Sequence, residues 1–279
     1  MNYQLTPDQK AAFDRDGCVV IPGFFSPDET QLMLDLATDE TVQRHSYDFN
    51  DQAGRATKLT LWFTPGDDTF GLMSRSERMV RGVETLLAEP LRGGTAKVCH
   101  FHSKVMQKQP RTGGAWEWHQ DYGYWYKNGF LYPEALISVM VALTDATVEN
   151  GCLQVLKGSH TMQRFEHNVV GKQQGVDPDF LDYAKQFTQH AYVELKAGDA
   201  LFFHANLLHA SSANTSDKAR WSIISCYNLD YNVPFREKNP SCITPVAVVP
   251  DSALLASGKQ GLAAQDFHSV ETEITLQVS

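Results

Sequence analysis

The chain has 279 residues, of which 42% are hydrophobic and 20% are charged, and its formal net charge is −9. This composition is typical of a globular protein and excludes a disordered one. No basic stretch is present to neutralise phosphates, so we expect neither nucleic acid nor an anionic membrane surface as a partner. All-β sandwiches and barrels of this length often form one unit, and we predict a single domain over residues 1–279.

Cysteine usage and the N-terminal sequence indicate the compartment. The five cysteines are scattered and never stand in C-x-x-C spacing, which is typical of a reducing compartment and argues against a zinc–thiolate site. No basic region followed by an apolar run opens the chain, and no apolar segment is long enough to span a bilayer. The sequence therefore predicts a soluble cytoplasmic protein, and it leaves the oligomeric state open.

The first forty residues contain two copies of one helix-start signal. T-P-D-Q from Thr6 and S-P-D-E from Ser26 each place a hydroxyl N-cap before a proline, and Gln or Glu completes a capping box. They predict one helix that ends at Gly17 and a second that runs to about Ala37, with a short strand at 18–21 between them.

The next segment is less regular. Residues 39–78 are polar and rich in turn residues, and we interpret them as loops. A third helix is predicted from about Ser76 to Ala88, before Pro90. The sequence thus predicts an N-terminal helical layer over residues 5–90.

Short strands follow from about residue 96 to 228, the predicted core of the domain. Residues 97–107 alternate, which places four side chains on one face: His100, His102, Lys104 and Met106. Apolar runs at 136–143 and 152–156 flank Glu149-Asn150-Gly151, a signal that predicts a hairpin.

A polar insert at 161–190, with a helical pattern near 180–187, interrupts the strand series. Further strands are predicted at 191–195, 200–204, 207–211 and 221–228, with the last two joined as antiparallel partners across a polar loop. Residues 233–279 are interpreted as a wrapping C-terminal tail. Helices followed by many short strands indicate a mainly β fold, a two-sheet jelly roll with flanking helices.

The segment W-E-W-H-Q-D at 116–121 carries the main chemical signal. If it is extended, His119 and Asp121 share one face and Gln120 points away. An imidazole and a carboxylate are two of the three ligands of a facial triad for non-haem Fe(II). Taken alone, the pair is more typical of a strand surface, so the interpretation requires a third ligand.

His209 is the predicted third ligand, and His204 is its rival. Only His209 is followed by a serine two residues later and by an arginine eleven residues later, Ser211 and Arg220. The planar guanidinium of Arg220 is suited to a carboxylate, which it can pair with through two parallel hydrogen bonds. Ser211 can add a hydrogen bond to the same carboxylate, and His204 is interpreted as a packed core histidine.

These motifs together resemble the phytanoyl-CoA dioxygenase family. The resemblance includes H-Q-D, N-G-C-L-Q-V-L-K-G-S-H at 150–160, G-D-A-L-F-F-H-A-N-L-L-H-A-S at 198–211 and Arg220. It also includes L-T-x-x-Q-x-x-x-F-x-x-D-G-x-x-V-I-P-G-F-F at 5–25, and so it covers about residues 5–228. It implies a double-stranded β-helix of the cupin-like class and an Fe(II)- and 2-oxoglutarate-dependent dioxygenase.

The resemblance also implies roles for single residues. Iron is expected at His119, Asp121 and His209, and 2-oxoglutarate at Arg220, Ser211, Lys104 and Met106. The implied reaction uses O₂ to decarboxylate 2-oxoglutarate to succinate and CO₂, and it hydroxylates a substrate carbon. Some members carry an aromatic co-substrate contact where this chain has Met140, so that contact is not carried over. Related halogenases lack the carboxylate, so the presence of Asp121 favours hydroxylation.

The substrate is the least constrained part. Polar and basic residues near the expected mouth suit a small polar or charged metabolite, and the candidate contacts are His102, Lys108, Gln120, Tyr126, Asn128 and Arg164. One candidate substrate is an organophosphonate such as 2-aminoethylphosphonate. The alternatives are an acyl-CoA hydroxylase of the same family, a non-redox cupin-like isomerase or metal-binding protein, and a catalytically dead scaffold.

Overall fold

The computed structural model describes residues 4–87, 96–170, 173–236, 239–261 and 267. Its helices are α1 Pro7–Asp16, α2 Pro27–Ala37, α3 Glu40–Gln43, α4 Thr69–Ser74, α5 Glu77–Leu86, α6 Asp121–Asn128, α7 Pro178–Lys185 and α8 Ala253–Ala256. Its strands are β1 Cys18–Ile21, β2 Tyr47–Asn50, β3 Ala56–Trp62, β4 Val98–Lys108, β5 Trp116–His119, β6 Leu136–Ala142, β7 Leu153–Lys157, β8 His167–Val170, β9 Gln173–Val176, β10 Gln189–Val193, β11 Ala200–His204, β12 His209–Ser211 and β13 Arg220–Leu229.

Two antiparallel sheets face each other and confirm the predicted jelly roll. The larger sheet has seven strands in the order β1-β11-β6-β13-β4-β3-β2, and the smaller sheet has four in the order β10-β7-β12-β5. Strands β8 and β9 form a separate ribbon. Side chains alternate between the two faces of each strand, so the inner strands of the larger sheet contribute to two cores.

The two faces of the larger sheet are packed differently. Its outer face carries Val105, Val141 and Ile223, which join the N-terminal helices in one buried cluster. Gly82 of α5 lies against Phe202, and a Cβ at Gly82 would come within 2.8 Å of the ring, so a glycine allows this helix to approach the sheet closely. The inner face packs against the smaller sheet and forms the second core, in which the candidate site lies.

The helix-start signals are confirmed. Thr6 and Ser26 cap α1 and α2 with complete capping boxes, and Gly17 ends α1 in the left-handed conformation at φ 78°. The third predicted helix is α5, which begins at Glu77 and ends at Leu86; the predicted end at Ala88 lies outside the described residues.

The interpretation of residues 39–78 as loops was wrong. This segment contains α3 and α4, and β2 pairs with β3, which in turn pairs with β4. Strand β2 lies at the edge of the larger sheet and alternates between half-buried and exposed residues. An edge strand needs few apolar side chains, which is why its sequence resembled a loop.

The predicted hairpin around Asn150 was also wrong. The Asn150 side chain accepts the Thr147 N–H at 2.8 Å and donates to the Asp145 carbonyl at 2.8 Å, so the turn itself forms. However, β6 before it belongs to the larger sheet and β7 after it to the smaller one. Strands β12 and β13, which were predicted to be partners, likewise belong to different sheets. Strand β13 lies between β4 and β6 in the larger sheet.

A bulge in β4 changes the predicted face of His100. The register between β4 and β13 shifts at Cys226/Tyr227, where Cys226 pairs with His102 and Tyr227 pairs with His100. His100 therefore points to the outer side, where its ring nitrogens bond to the Phe63 carbonyl and the Ser103 hydroxyl. Bulges of this kind switch the side-chain alternation of a strand.

The described part of the predicted C-terminal tail contacts β4 and the start of α5. Residue 245 forms a bridge with Cys99, and Val249 forms a bridge with Ser76. Residues 262–266 and 268–279 lie outside the described residues. Among the described residues, no helix combines the length and hydrophobicity required to cross a bilayer.

Candidate metal centre and anion pocket

Strand β5 ends at His119, and Asp121 is the first residue of α6 rather than the next position of the same strand face. Gln120 between them keeps an extended backbone, with φ −112° and ψ 133°. The strand-to-helix turn brings His119 and Asp121 together even though the expected strand alternation stops. The sequence thus predicted the right pair for a partly wrong geometrical reason.

His209 meets this pair from β12, the strand that pairs with β5. In that register His209 lies directly opposite His119. The distances from Asp121 Oδ1 to His119 Nε2 and His209 Nε2 are 3.8 Å and 3.9 Å. One ligand atom from each of the three residues lies within 4.8 Å of the others, and all three side chains are buried. His204, the rival ligand, lies on β11, and its ring is in contact range of His160 and Phe13 instead.

Hydrogen bonds prepare these three side chains for a cation. His119 Nδ1 and His209 Nδ1 each donate to the carbonyl two residues earlier, at 2.7 Å and 2.9 Å. This fixes the tautomer, so that each Nε2 presents its lone pair to the shared centre. The Ser138 hydroxyl donates to Asp121 Oδ2 at 2.7 Å, which leaves Oδ1 for the centre. Burial above all lowers the pKa of both imidazoles, so both are neutral and able to bind a metal.

A second group of polar side chains lies at the other end of the same inner face. Arg220 on β13 pairs in register with Lys108 on β4, and both side chains are buried. Lys108 Nζ donates to Ser211 Oγ at 2.7 Å and also to the Ser212 carbonyl. Burial, followed by the neighbouring Arg220 charge, holds the pKa of Lys108 well below its usual value. Burial likewise lowers the pKa of Arg220, to about 10.

This pocket fits an anion. Arg220 Nη1 donates to the Gly151 carbonyl, but among the described residues neither Arg220 Nε nor Ser222 Oγ has a hydrogen-bond partner, although both atoms are buried. Two adjacent buried cations and two unsatisfied polar atoms are costly unless a ligand compensates them. Ser211 Oγ accepts from Lys108, so its own proton can be donated to a bound carboxylate.

The predicted co-substrate residues Lys104 and Met106 lie between the two groups. Met106 pairs with Ser222, beside the anion pocket, and Lys104 pairs with Ile224, closer to the triad. Lys104 is half-buried. Burial is the main cause of the lowered pKa of His119 and His209, and the charge of Lys104 is a smaller one. Among the described residues, Lys104 has no acidic partner within ion-pair distance, in contrast to Lys10, Lys157 and Lys185.

The six predicted substrate residues differ in where the structure places them. His102 is buried on the inner side of β4, its ring 5.7 Å from that of Trp125, while Tyr126 is 43% exposed under the Arg164 guanidinium at 4.4 Å. The other three do not line a mouth. Lys108 lies in the anion pocket, Asn128 is buried at the end of α6, and Gln120 is buried and bonded to neighbouring segments.

Sequence reasoning missed Ser138 and Ser222 and misplaced Lys108. Ser138 contacts Asp121 from β6, and Ser222 lies two positions beyond Arg220 on the same face of β13. An alternation count from Arg220 would have found Ser222, but nothing local to residue 138 marks it as a partner of Asp121.

Comparisons with known proteins agree with this geometry. The sequence model of the family described as Phytanoyl-CoA dioxygenase (PhyH) matches residues 13–222. The chain is 29% identical to an L-proline trans-4-hydroxylase from Streptomyces griseoviridis, over 87% of this chain and 95% of the relative. It is 30% identical to a phytanoyl-CoA dioxygenase from Arabidopsis thaliana, over 77% of this chain and 86% of the relative.

Solved structures give the same fold. EctD from S. alaskensis, solved with 2-oxoglutarate and 5-hydroxyectoine, aligns with a TM-score of 0.68 at 21% identity and covers 95% of this chain and 87% of that one. The family match spans both the H-Q-D turn and Arg220, the two ends of the site described above. The chain therefore belongs to the phytanoyl-CoA dioxygenase family and is a dioxygenase of the Fe(II)- and 2-oxoglutarate-dependent class.

Proposed function

We propose that the protein hydroxylates a small polar metabolite that carries a carboxylate, with 2-oxoglutarate and O₂ consumed and succinate and CO₂ released. The observation that carries this proposal is the half-buried Lys104, a cation without an acidic partner among the described residues, beside the converging His119, Asp121 and His209. A cation held next to a reaction centre is suited to fix an anionic group of the substrate.

The triad residues would hold Fe(II) through His119 Nε2, Asp121 Oδ1 and His209 Nε2. Bound iron supplies the activation of O₂ that the protein cannot perform itself. The protein keeps both imidazoles neutral, orients them through their Nδ1–H groups, and fixes the carboxylate through Ser138. Three protein ligands would leave positions on the metal open to the co-substrate and O₂.

The anion pocket holds the distal carboxylate of 2-oxoglutarate. Arg220 pairs with the carboxylate, Ser211 donates its hydroxyl proton, and Ser222 adds a further donor. Lys108 is assigned to this pocket and not to the substrate, because its ammonium is buried and directed at Ser211. Met106 lines the path between pocket and triad.

The relatives indicate which substrates to test first. L-proline is named for the Streptomyces relative, and ectoine dioxygenases match at 23–26% identity. Both names denote small cyclic molecules with a carboxylate, which Lys104 could fix. The comparisons give no support to 2-aminoethylphosphonate, which stays in the panel as an anion of a different shape. The Arabidopsis relative keeps an acyl-CoA ester as the second candidate.

The test is succinate release by the Fe(II)-loaded enzyme across this panel. A small carboxylate-bearing compound is expected to raise succinate release well above the substrate-free rate, with a hydroxylated product in equal amount. Stimulation of succinate release by the acyl-CoA ester alone would contradict the proposal. If the enzyme binds 2-oxoglutarate but no compound of the panel raises succinate release, hydroxylation of this substrate class is contradicted.

Replacement of Lys104 by methionine is expected to raise KM for the stimulating compound while KM for 2-oxoglutarate stays unchanged. A hydrogen bond to a charged group contributes about 1.5–3 kcal/mol, so the increase should be roughly tenfold to a hundredfold. Methionine keeps the length and apolar stem of the side chain. If KM for 2-oxoglutarate rises instead, Lys104 binds the co-substrate, as the sequence predicted. The proposal that the substrate carries a carboxylate would then be contradicted.

A further inference from the structure

Gln120, between the first two triad residues, is bonded to two other segments. Its side-chain Nε2 donates to the Asn206 carbonyl at 3.0 Å, and its Oε1 accepts the Phe165 N–H at 2.8 Å. Its backbone N–H donates to His167 Nε2 at 2.9 Å. The turn that carries two metal ligands is therefore tied both to the segment before the third ligand and to the insert at 161–190.

His167, in the insert, contacts the backbone of this turn directly. Its ring is buried, and Nδ1–H donates to the Phe165 carbonyl at 2.9 Å, which leaves Nε2 as the acceptor for Gln120. The ring also fills the space above Gly123 in the first turn of α6: a Cβ at Gly123 would clash with His167 Cε1. His167 thus contacts the turn through a hydrogen bond and the helix through packing.

The segment that leads to the third ligand is bonded to residues 159–162, where the insert begins. Asn206 Nδ2 donates to the His160 and Met162 carbonyls, and the Leu208 N–H donates to Ser159 Oγ at 2.8 Å. Residues 159–167 therefore touch the chain on both sides of the metal centre. One short segment is bonded both to the H-Q-D turn and to the segment that leads to His209.

We propose that His167 is a positioning residue of the metal centre, which acts through Gln120 to set the H-Q-D turn against the segment that leads to His209. The inference rests on the proposed function, since it requires the triad to bind a divalent metal. Its physical basis is preorganisation: a tridentate site binds tightly only when its ligands already stand in the binding geometry. The insert is then part of the metal site and not a peripheral addition.

The experiment measures Mn(II) binding to the metal-free enzyme by calorimetry, without 2-oxoglutarate, together with the melting temperature of the metal-free protein. His167→Phe keeps a ring of similar size over Gly123 but removes the acceptor. His167→Gln restores an acceptor near the place of Nε2. The matched control is His100→Phe, because His100 is equally buried and bonds through both ring nitrogens, but lies on the outer side of the larger sheet.

We expect His167→Phe to weaken Mn(II) binding about tenfold to a hundredfold, the usual cost of losing a residue that orients metal ligands. His167→Gln should recover most of that loss, and His100→Phe should bind Mn(II) as the wild type does even if its melting temperature falls. If His167→Phe binds Mn(II) as tightly as wild type, the inference is overturned.

Two further results are decisive. If the wild type itself fails to bind Mn(II), the proposed function fails first, which separates the two ideas. If His167→Phe cannot be recovered folded, His167→Leu is measured in its place, because it also removes the acceptor for the Gln120 backbone N–H. Unchanged Mn(II) affinity in His167→Leu would then overturn the inference.

Discussion

His209→Ala is expected to abolish Fe(II)-dependent succinate release, whereas His204→Gln should keep most of it. His209 Nε2 lies 3.9 Å from Asp121 Oδ1, a distance that one bound metal ion spans. A metal ion contributes several kcal/mol of stabilisation to the transition state. Because each 1.36 kcal/mol corresponds to tenfold in rate, the loss should be about a thousandfold or more.

The two histidines make a matched pair because they lie in one short segment. His204 accepts the Asn206 N–H through Nδ1 at 2.9 Å, and its ring packs near His160 and Phe13. Glutamine can keep the acceptor role. The measurement is succinate release together with bound iron per chain after anaerobic loading. Loss of iron in His204→Gln and its retention in His209→Ala would reverse the assignment of the third ligand.

The sequence predicted those parts of the molecule that depend on local signals. The capping boxes at Thr6 and Ser26 act within four residues, and both helices begin where expected. His209 was chosen over His204 from the serine and arginine that follow it, and the structure brings His209 opposite His119. The capping signals succeed because they do not depend on which strands become neighbours, whereas the choice of His209 rested on the order of residues along the chain.

The errors arose where distant strands decide the outcome. The Asn-Gly turn forms as predicted, but whether its flanking strands pair is decided by β11, β13, β10 and β12, which compete for the same edges. Lys108 was grouped with the basic and hydrogen-bonding residues near the expected mouth as a candidate substrate contact. The register of β4 with β13 instead places it beside Arg220 and over Ser211, a contact that no local pattern encodes.

Gln120 shows the same limit at the site itself. It was predicted both to point away from the metal face and to contact substrate. The structure keeps the first of these and replaces the second with bonds to Asn206 and Phe165. The partners of a buried amide come from whichever segments fold over it, so its role could not be predicted from its place in H-Q-D.

The anion pocket supports the second large prediction, which concerns Arg220 and Lys108 together. Arg220→Met should raise KM for 2-oxoglutarate about thirtyfold or more, since truncating one partner of a buried charge pair costs about 2–5 kcal/mol and tenfold corresponds to 1.4 kcal/mol. Mn(II) binding without 2-oxoglutarate should not change, because Arg220 lies away from the triad atoms. The measurements are KM for 2-oxoglutarate and Mn(II) affinity.

Lys108→Met should also raise KM for 2-oxoglutarate, because Lys108 acts through Ser211. Without the Lys108 ammonium, the Ser211 hydroxyl loses the donor that directs its own proton toward the carboxylate. We expect KM for 2-oxoglutarate to rise about tenfold or more, which is the usual cost of losing a hydrogen bond to a charged group. KM for the substrate should stay unchanged. Because the two side chains serve one carboxylate, the double variant should lose less than the sum, with a coupling of about 0.5–3 kcal/mol. Additive losses, or a rise in substrate KM alone for Lys108→Met, would return Lys108 to the mouth where the sequence had placed it.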